Sequence, residues 1–142
     1  MSALIQFFSE EVSYKLDHEE KIHDWIIEVI KEENLKPGVI NYIFCNDNYL
    51  HELNQRFLDR NTLTDVIAFD YRESEDEVSG DVFISIDRTA ENALMLDEVP
   101  DKELLRVIIH GTLHLCGYDD HNAEDKAIIT EKEDKYLSLL PL

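Results

Sequence analysis

Apolar positions along the chain follow two rhythms, one of two residues and one of three to four, and the switches between them mark the elements. Ala3 to Phe8 is a short apolar, β-prone run and predicts a first strand. From His18 to Glu33 the apolar residues Ile22, Trp25, Ile26, Val29 and Ile30 recur at helical spacing, which puts them on one buried face. Asp17 stands where it can cap that helix. Lys36-Pro37-Gly38 reads as a turn, and Val39 to Cys45 as a strand. Asn46 caps a short helix from Asp47 to Leu58, with Leu50, Leu53, Asn54 and Phe57 on one stripe.

Thr64 to Tyr71 and Gly80 to Ile86 read as strands, joined through a solvated, hairpin-like acidic loop at Glu73 to Glu77. Arg88 to Leu96 is helical in pattern. Pro100 breaks the chain, Asp101 caps a helix from Lys102 to Cys116, and Gly117 stands at the C′ position. A last helix, Asn122 to Leu140, turns Ile128, Tyr136, Leu137 and Leu140 inward. Helices and strands do not alternate regularly. The expectation is an α+β fold, a single domain over residues 1–142 with about four strands in a mixed sheet and about five helices packed on it.

Composition adds boundaries. The hydrophobic fraction of 44% is ordinary for a globular chain, and no run approaches the length of a membrane span. The N-terminus lacks a basic region followed by a cleavage site, so no signal peptide is expected. Cys45 and Cys116 lie in apolar runs and read as buried free thiols, which makes the cytoplasm the default location. Charge changes the picture more. Asp and Glu number 32 against 13 Lys and Arg, a formal net charge of −19. Such a surface repels phosphate backbones at long range, because nucleic-acid affinity rests largely on Lys and Arg. A local basic groove remains compatible with that total.

Candidate chemistry concentrates in residues 110–121, where His110 and His114 are followed by Gly117, Asp119, Asp120 and His121. Histidines four residues apart on a helix project from one face, one turn apart, and can reach a single ion. One histidine on so apolar a helix would usually be a hydrogen-bonded core residue. A pair followed by a helix-ending glycine and then further ligand-type residues points instead to a metal. Gly117 lets the chain fold back and bring a third ligand, Asp120 or His121. Three protein ligands leave a position open for water, as in catalytic rather than structural zinc sites. Gly111 stands where a metalloprotease of the H-E-x-x-H type carries its glutamate base, so that reading is disfavoured. Asp119 is a candidate base, and a turn-capping role for it is equally open.

These residues resemble the YbeY family of bacterial endoribonucleases, whose pattern here is H-G-x-L-H-L-x-G-Y-D-H. Thr64 to Phe69 resembles the family's T-D-V-L-S-F strand, Gly80 to Ser85 its G-D-I-x-I-S strand, and Leu53-Asn54 with Phe57 its L-N-x-x-Y. The resemblance implies a one-domain α+β fold and one hydrolytic Zn2+. It also implies cleavage of single-stranded RNA in small-subunit ribosomal RNA maturation and ribosome quality control. The implied partners are RNA and the small ribosomal subunit or its assembly factors.

The chain departs from the family pattern at two places. The family's third ligand falls on Asp120, with His121 one residue later. The family's arginine after L-N-x-x-Y falls on Leu58, with Arg56 and Arg60 flanking it. Arg60 or Arg56 is the candidate phosphate holder, since a guanidinium can grip phosphate bidentately, and a solvated helix-end cation is an equally open reading of either. Asp65 is expected either to orient a ligand histidine or to cap its loop, Gly80 to permit a close backbone approach or to turn a hairpin, and Ser85 to be a half-buried strand serine. His18, His23 and His51 read as surface residues, Trp25 as core, and Glu131, Glu133 and Asp134 as a solvated helix face. Two other readings stay open: an assembly factor with a structural metal, and a metallohydrolase of another substrate.

Overall fold

The helix that carries both candidate histidines packs against one half of a four-stranded sheet. In the computed structural model, which describes residues 3–58 and 64–140, the chain runs β1 (Leu4–Ser9), α1 (Glu19–Glu32), β2 (Lys36–Cys45), α2 (Asp47–Leu58), β3 (Val66–Asp70), β4 (Glu77–Ser85), α3 (Ile86–Met95), α4 (Pro100–Leu115) and α5 (Ala123–Ser138). The sheet order is β1-β2-β4-β3. β2 pairs in parallel with β1 and with β4, and β3 runs antiparallel to β4. The sheet is therefore mixed, and the domain is α+β.

Alternation in the strands separates two cores. Ile40, Tyr42 and Phe44 of β2 and Val82 and Ile84 of β4 meet Ile22, Ile26 and Ile30 of α1 and Val107, Ile108 and Leu113 of α4. On the other face Cys45, Leu50 and Ile67 cluster with Phe69 and Phe83, so α2 covers that side. A buried polar link ties β2 to α4. The Thr112 hydroxyl donates to the Ile108 carbonyl at 2.8 Å, so the Tyr42 hydroxyl donates to Thr112 at 2.6 Å. Trp25 is core, and its indole N–H donates to the Tyr136 carbonyl at 2.8 Å. Cys45 is buried and Cys116 half-buried, both as free thiols, and burial pushes each up to about 12. Among the described residues no helix is long and apolar enough to cross a membrane.

Several sequence expectations need correction. Lys36-Pro37-Gly38 is not a turn but the start of β2. Pairing with β1 begins only at Val39, so Pro37 stands where one side of the strand is a free edge and its missing N–H costs nothing. The register shift between Pro37 and Ile40 absorbs the irregularity. Asp17 does not cap α1. His18 is the N-cap, in a left-handed conformation with φ 58° and no side-chain cap, and Glu19 and Glu20 supply the favourable charge in the first turn. Pro100 begins α4 rather than breaking the chain, with Val99 and not Asp101 at the N-cap. Its fixed φ and absent N–H suit that first position. α3 starts two residues early, directly from β4, because Ser85 accepts from Arg88 N–H at 3.2 Å as its N-cap. In α5 it is Ile129 and not Ile128 that is buried, and Glu133 is buried beside Tyr136. The Asn46 cap is as expected, accepting from Tyr49 N–H at 2.8 Å.

Candidate metal centre

Close packing explains why α4 carries glycine between its histidines. A Cβ on Gly111 would lie 2.6 Å from Val82 Cγ1 and 3.2 Å from Val66 Cγ2. The helix backbone is pressed onto β3 and β4 at that turn, and a glutamate there would be driven into the sheet. His110 and His114 project from the half-exposed side instead, with their Nε2 atoms 3.0 Å apart. Gly80 serves the same packing, because a Cβ there would meet the Phe69 carbonyl oxygen at 2.2 Å and Leu115 Cδ2 at 2.8 Å.

The end of α4 folds the third group back. Gly117 has φ 111°, its N–H bonds the His114 carbonyl at 3.0 Å, and the Tyr118 N–H bonds the Leu113 carbonyl at 3.0 Å. This pair of bonds is the Schellman pattern, which glycine favours because a Cβ is strained at positive φ. After that turn Asp120 Oδ2 stands 3.4 Å from His110 Nε2 and 3.7 Å from His114 Nε2. His110, His114 and Asp120 thus offer one ligand atom each within 4.8 Å of one another. The His121 imidazole points elsewhere, 70% exposed and 3.5 Å from Asp119 Oδ1.

Both imidazoles are held from behind. His114 Nδ1 lies 2.9 Å from the Tyr118 carbonyl, which can only accept, so Nδ1 carries the proton. His110 Nδ1 lies 2.5 Å from Glu133 Oε2, a carboxylate from α5 that likewise accepts. Each ring therefore turns an Nε2 lone pair toward the other. Two lone pairs 3.0 Å apart repel unless a proton or a cation lies between them. Burial pushes the His110 imidazole down, but the hydrogen bond and charge of Glu133 outweigh it and leave the ring above its ordinary value of 6.5. Burial and the neighbouring His110 charge hold His114 below that value.

A further carboxylate braces the loop. Glu33 accepts from the Tyr118 hydroxyl at 2.6 Å, from Lys132 Nζ at 3.3 Å, and from the Tyr136 hydroxyl. Burial raises the Glu33 carboxyl, and these three donors more than reverse that, so it titrates below its ordinary 4.5.

The centre opens on a cleft of about 480 Å³, lined by Asn54 and Leu58 of α2, Thr64 and Asp65, β3, and the acidic pair Asp119 and Asp120. Asp65 accepts from the Asn92 amide at 3.2 Å, and its carbonyl accepts from Ser85 N–H at 3.0 Å, so it braces the β3 entry rather than bonding a histidine. Burial raises its carboxyl. Arg56 faces Glu52 at 3.1 Å and lines a different hollow with Asn46 and Tyr49. Arg60 lies outside the described residues. Of the remaining histidines, His18 is exposed and His23 pairs with Asp24 at 3.0 Å.

Sequence reasoning missed Glu133, which it placed on a solvated face. It is 5% exposed. A signal existed: Ile129, Glu133 and Tyr136 follow one another by four and then three residues, the spacing of one helix face.

On this mixed sheet, a helix-borne histidine pair and a carboxylate returned by a glycine turn form a group that could hold a metal ion, beside an open cleft. Comparison with known proteins gives the lineage. The family model "Endoribonuclease YbeY" matches residues 4–141. A protein of that name from Flavobacterium psychrophilum is 47% identical over 132 residues, 93% of this chain and 94% of its own. One from Porphyromonas gingivalis is 43% identical over 138 residues, 97% of this chain and 91% of its own. The solution structure of TM1509 from Thermotoga maritima superposes with a TM-score of 0.67 at 30% identity, covering 96% of this chain and 89% of that one. The chain belongs to the YbeY endoribonuclease family.

Proposed function

We propose that the chain is a zinc-dependent endoribonuclease that cuts single-stranded RNA. In this reading it acts in the cytoplasm on small-subunit ribosomal RNA during its maturation and quality control, with the small subunit or its assembly factors as partners. One observation carries the reading: two Nε2 atoms and a carboxylate oxygen converge at the floor of an open cleft, a grouping that needs a proton or a cation between the rings and that could hold a metal ion. His110, His114 and Asp120 would hold the metal, and His121 would lie outside the ligand set.

When bound, zinc supplies Lewis acidity to a phosphoryl oxygen and makes hydroxide accessible near neutral pH. The chain's residues do the rest. Asp65, Asp70, Asp119 and Asp120 line the cleft and would repel an RNA phosphate, so phosphate entry requires the cation's charge and a nearby guanidinium. Arg60 is the residue assigned to grip that phosphate. Asp119 is 65% exposed at the cleft margin and is assigned to take the proton from the attacking nucleophile. The named activity of the relatives supports RNA as substrate.

The test is cleavage of a labelled single-stranded RNA by zinc-loaded wild type, His114→Ala and Arg60→Ala. His114→Ala should abolish cleavage. Arg60→Ala should slow it by roughly a hundredfold or more, the usual effect of removing one transition-state contact. Metal-dependent cleavage surviving in His114→Ala would refute the assignment.

A further inference from the structure

Resting on the metal reading above, the geometry points to Arg106 and Glu133 as a pair of positioning residues that fix which nitrogen of His110 faces the metal. Arg106 stands one helical turn before His110 on α4, and Glu133 reaches across from α5. Arg106 Nη1 donates to Glu133 Oε1 at 3.0 Å, while Glu133 Oε2 faces His110 Nδ1 at 2.5 Å. The second arm of the guanidinium, Nη2, donates to Asp134 Oδ1 at 2.7 Å, which anchors it to the same helix. The Glu133 side chain is 7% exposed, so water competes little for its bonds to Arg106 and His110.

The logic is one of donors and acceptors. A guanidinium only donates, so it always claims an oxygen. A carboxylate has two equivalent oxygens: Arg106 takes one and leaves the other to accept the Nδ1 proton. With Nδ1 protonated, the Nε2 lone pair turns to His114 and Asp120. Neither residue touches substrate or metal, since both lie on the Nδ1 side of the ring. A carboxylate behind a ligand histidine fixes ring orientation and raises ligand basicity. What this chain adds is a selector for the carboxylate's own arrangement.

That selector makes an unusual prediction. In Glu133→Gln only one oxygen remains, and Arg106 claims it. The amide NH2 then faces His110 Nδ1 and favours the ring with its proton on Nε2, the nitrogen needed for the metal. Removing the cation as well, in R106L/E133Q, frees the amide to turn its oxygen to Nδ1. The single variant should therefore be worse than the double, although the double has lost more of the network.

The experiment measures Zn2+ affinity by competition with a chromophoric chelator for wild type, E133Q, R106L/E133Q and H114A. We expect E133Q to bind roughly 10- to 100-fold more weakly than wild type and the double variant to recover most of that loss. Wild-type affinity in E133Q, or a double variant no better than the single, overturns the inference. H114A separates the two claims: if it keeps zinc, the metal site itself is misassigned, whereas if it loses zinc while E133Q does not, only this inference fails. Should E133Q not fold, long-range 1H–15N spectra of the zinc-loaded wild type decide. His110 protonated at Nδ1 and ligating through Nε2 supports the inference, and ligation through Nδ1 overturns it.

Discussion

The two histidines are held in contrasting ways. His114 is secured by its own neighbourhood: the Tyr118 carbonyl that takes its Nδ1 proton is delivered by the Gly117 turn, within four residues. His110 is secured by a charged group 23 residues away, Glu133 on another helix, itself held by Arg106. A local support depends on backbone conformation and is bought with one glycine. A distant support depends on the packing of α5 against α4, and a change in that packing reaches the site directly. The same division recurs around the loop, where Glu33 at the C-cap of α1 braces Tyr118 and Tyr136 at once.

Substitutions can break this contrast at different depths. The largest effect is expected from Gly111→Glu, which would restore the protease-like H-E-x-x-H spacing. Its Cβ would collide with Val82 at 2.6 Å, and a carboxylate would be forced against the sheet. Steric and buried-charge costs together should exceed about 4 kcal/mol, so cooperative unfolding in a denaturant titration should be weakened severely or lost. Normal stability with new peptidase activity would mean that α4 is not packed as described.

Glu33→Gln comes next. It removes the charge that three donors converge on, at an expected cost of about 1–3 kcal/mol near neutral pH. The sign with pH follows from the lowered carboxyl. Glu33's contribution is fully present above its unfolded value near 4.5 and is lost as pH falls through the lower folded value. In urea unfolding the gap between wild type and variant should be widest near neutrality and should close below about 4.5. A gap that widens in acid would contradict the network.

Gly117→Ala probes the local support. Its Cβ would meet no atom within 4 Å, so only the positive φ of 111° opposes it. The expected loss is about 1 kcal/mol by thermal unfolding, together with weaker zinc binding, because the same turn delivers Tyr118 and Asp120. Unchanged zinc affinity would show that the loop reaches the site without this turn. The smallest effect is expected from Tyr42→Phe, which deletes one neutral buried hydrogen bond to Thr112 at about 1 kcal/mol and should leave the metal affinity unchanged.

The same contrast explains what the sequence made legible. Periodicity predicts the strands and helices because each depends on its own residues, and the Asn46 cap and the Gly117 stop are local chemistry of the same kind. Pro37 misleads because its tolerance in β2 depends on where β1 begins, a fact of the sheet and not of the tripeptide. Glu133 is partly hidden for the same reason: in the run of six charged and polar residues from Thr130 to Lys135, helical spacing from Ile129 to Tyr136 marks Glu133 as inward-facing, but only the packing of α5 on α4 brings it to His110 and Arg106. The choice between Asp120 and His121 could not be made from adjacent positions, both with ligand chemistry. The loop after Gly117 turns Asp120 toward the histidines and leaves His121 beside Asp119.

The most direct test of the account is metal content by elemental analysis of untagged wild type, Asp120→Ala and His121→Ala after zinc is resupplied. The account predicts near one equivalent of zinc in wild type and in His121→Ala, and its loss in Asp120→Ala. Zinc retained in Asp120→Ala but lost in His121→Ala, or no zinc in wild type, would contradict it.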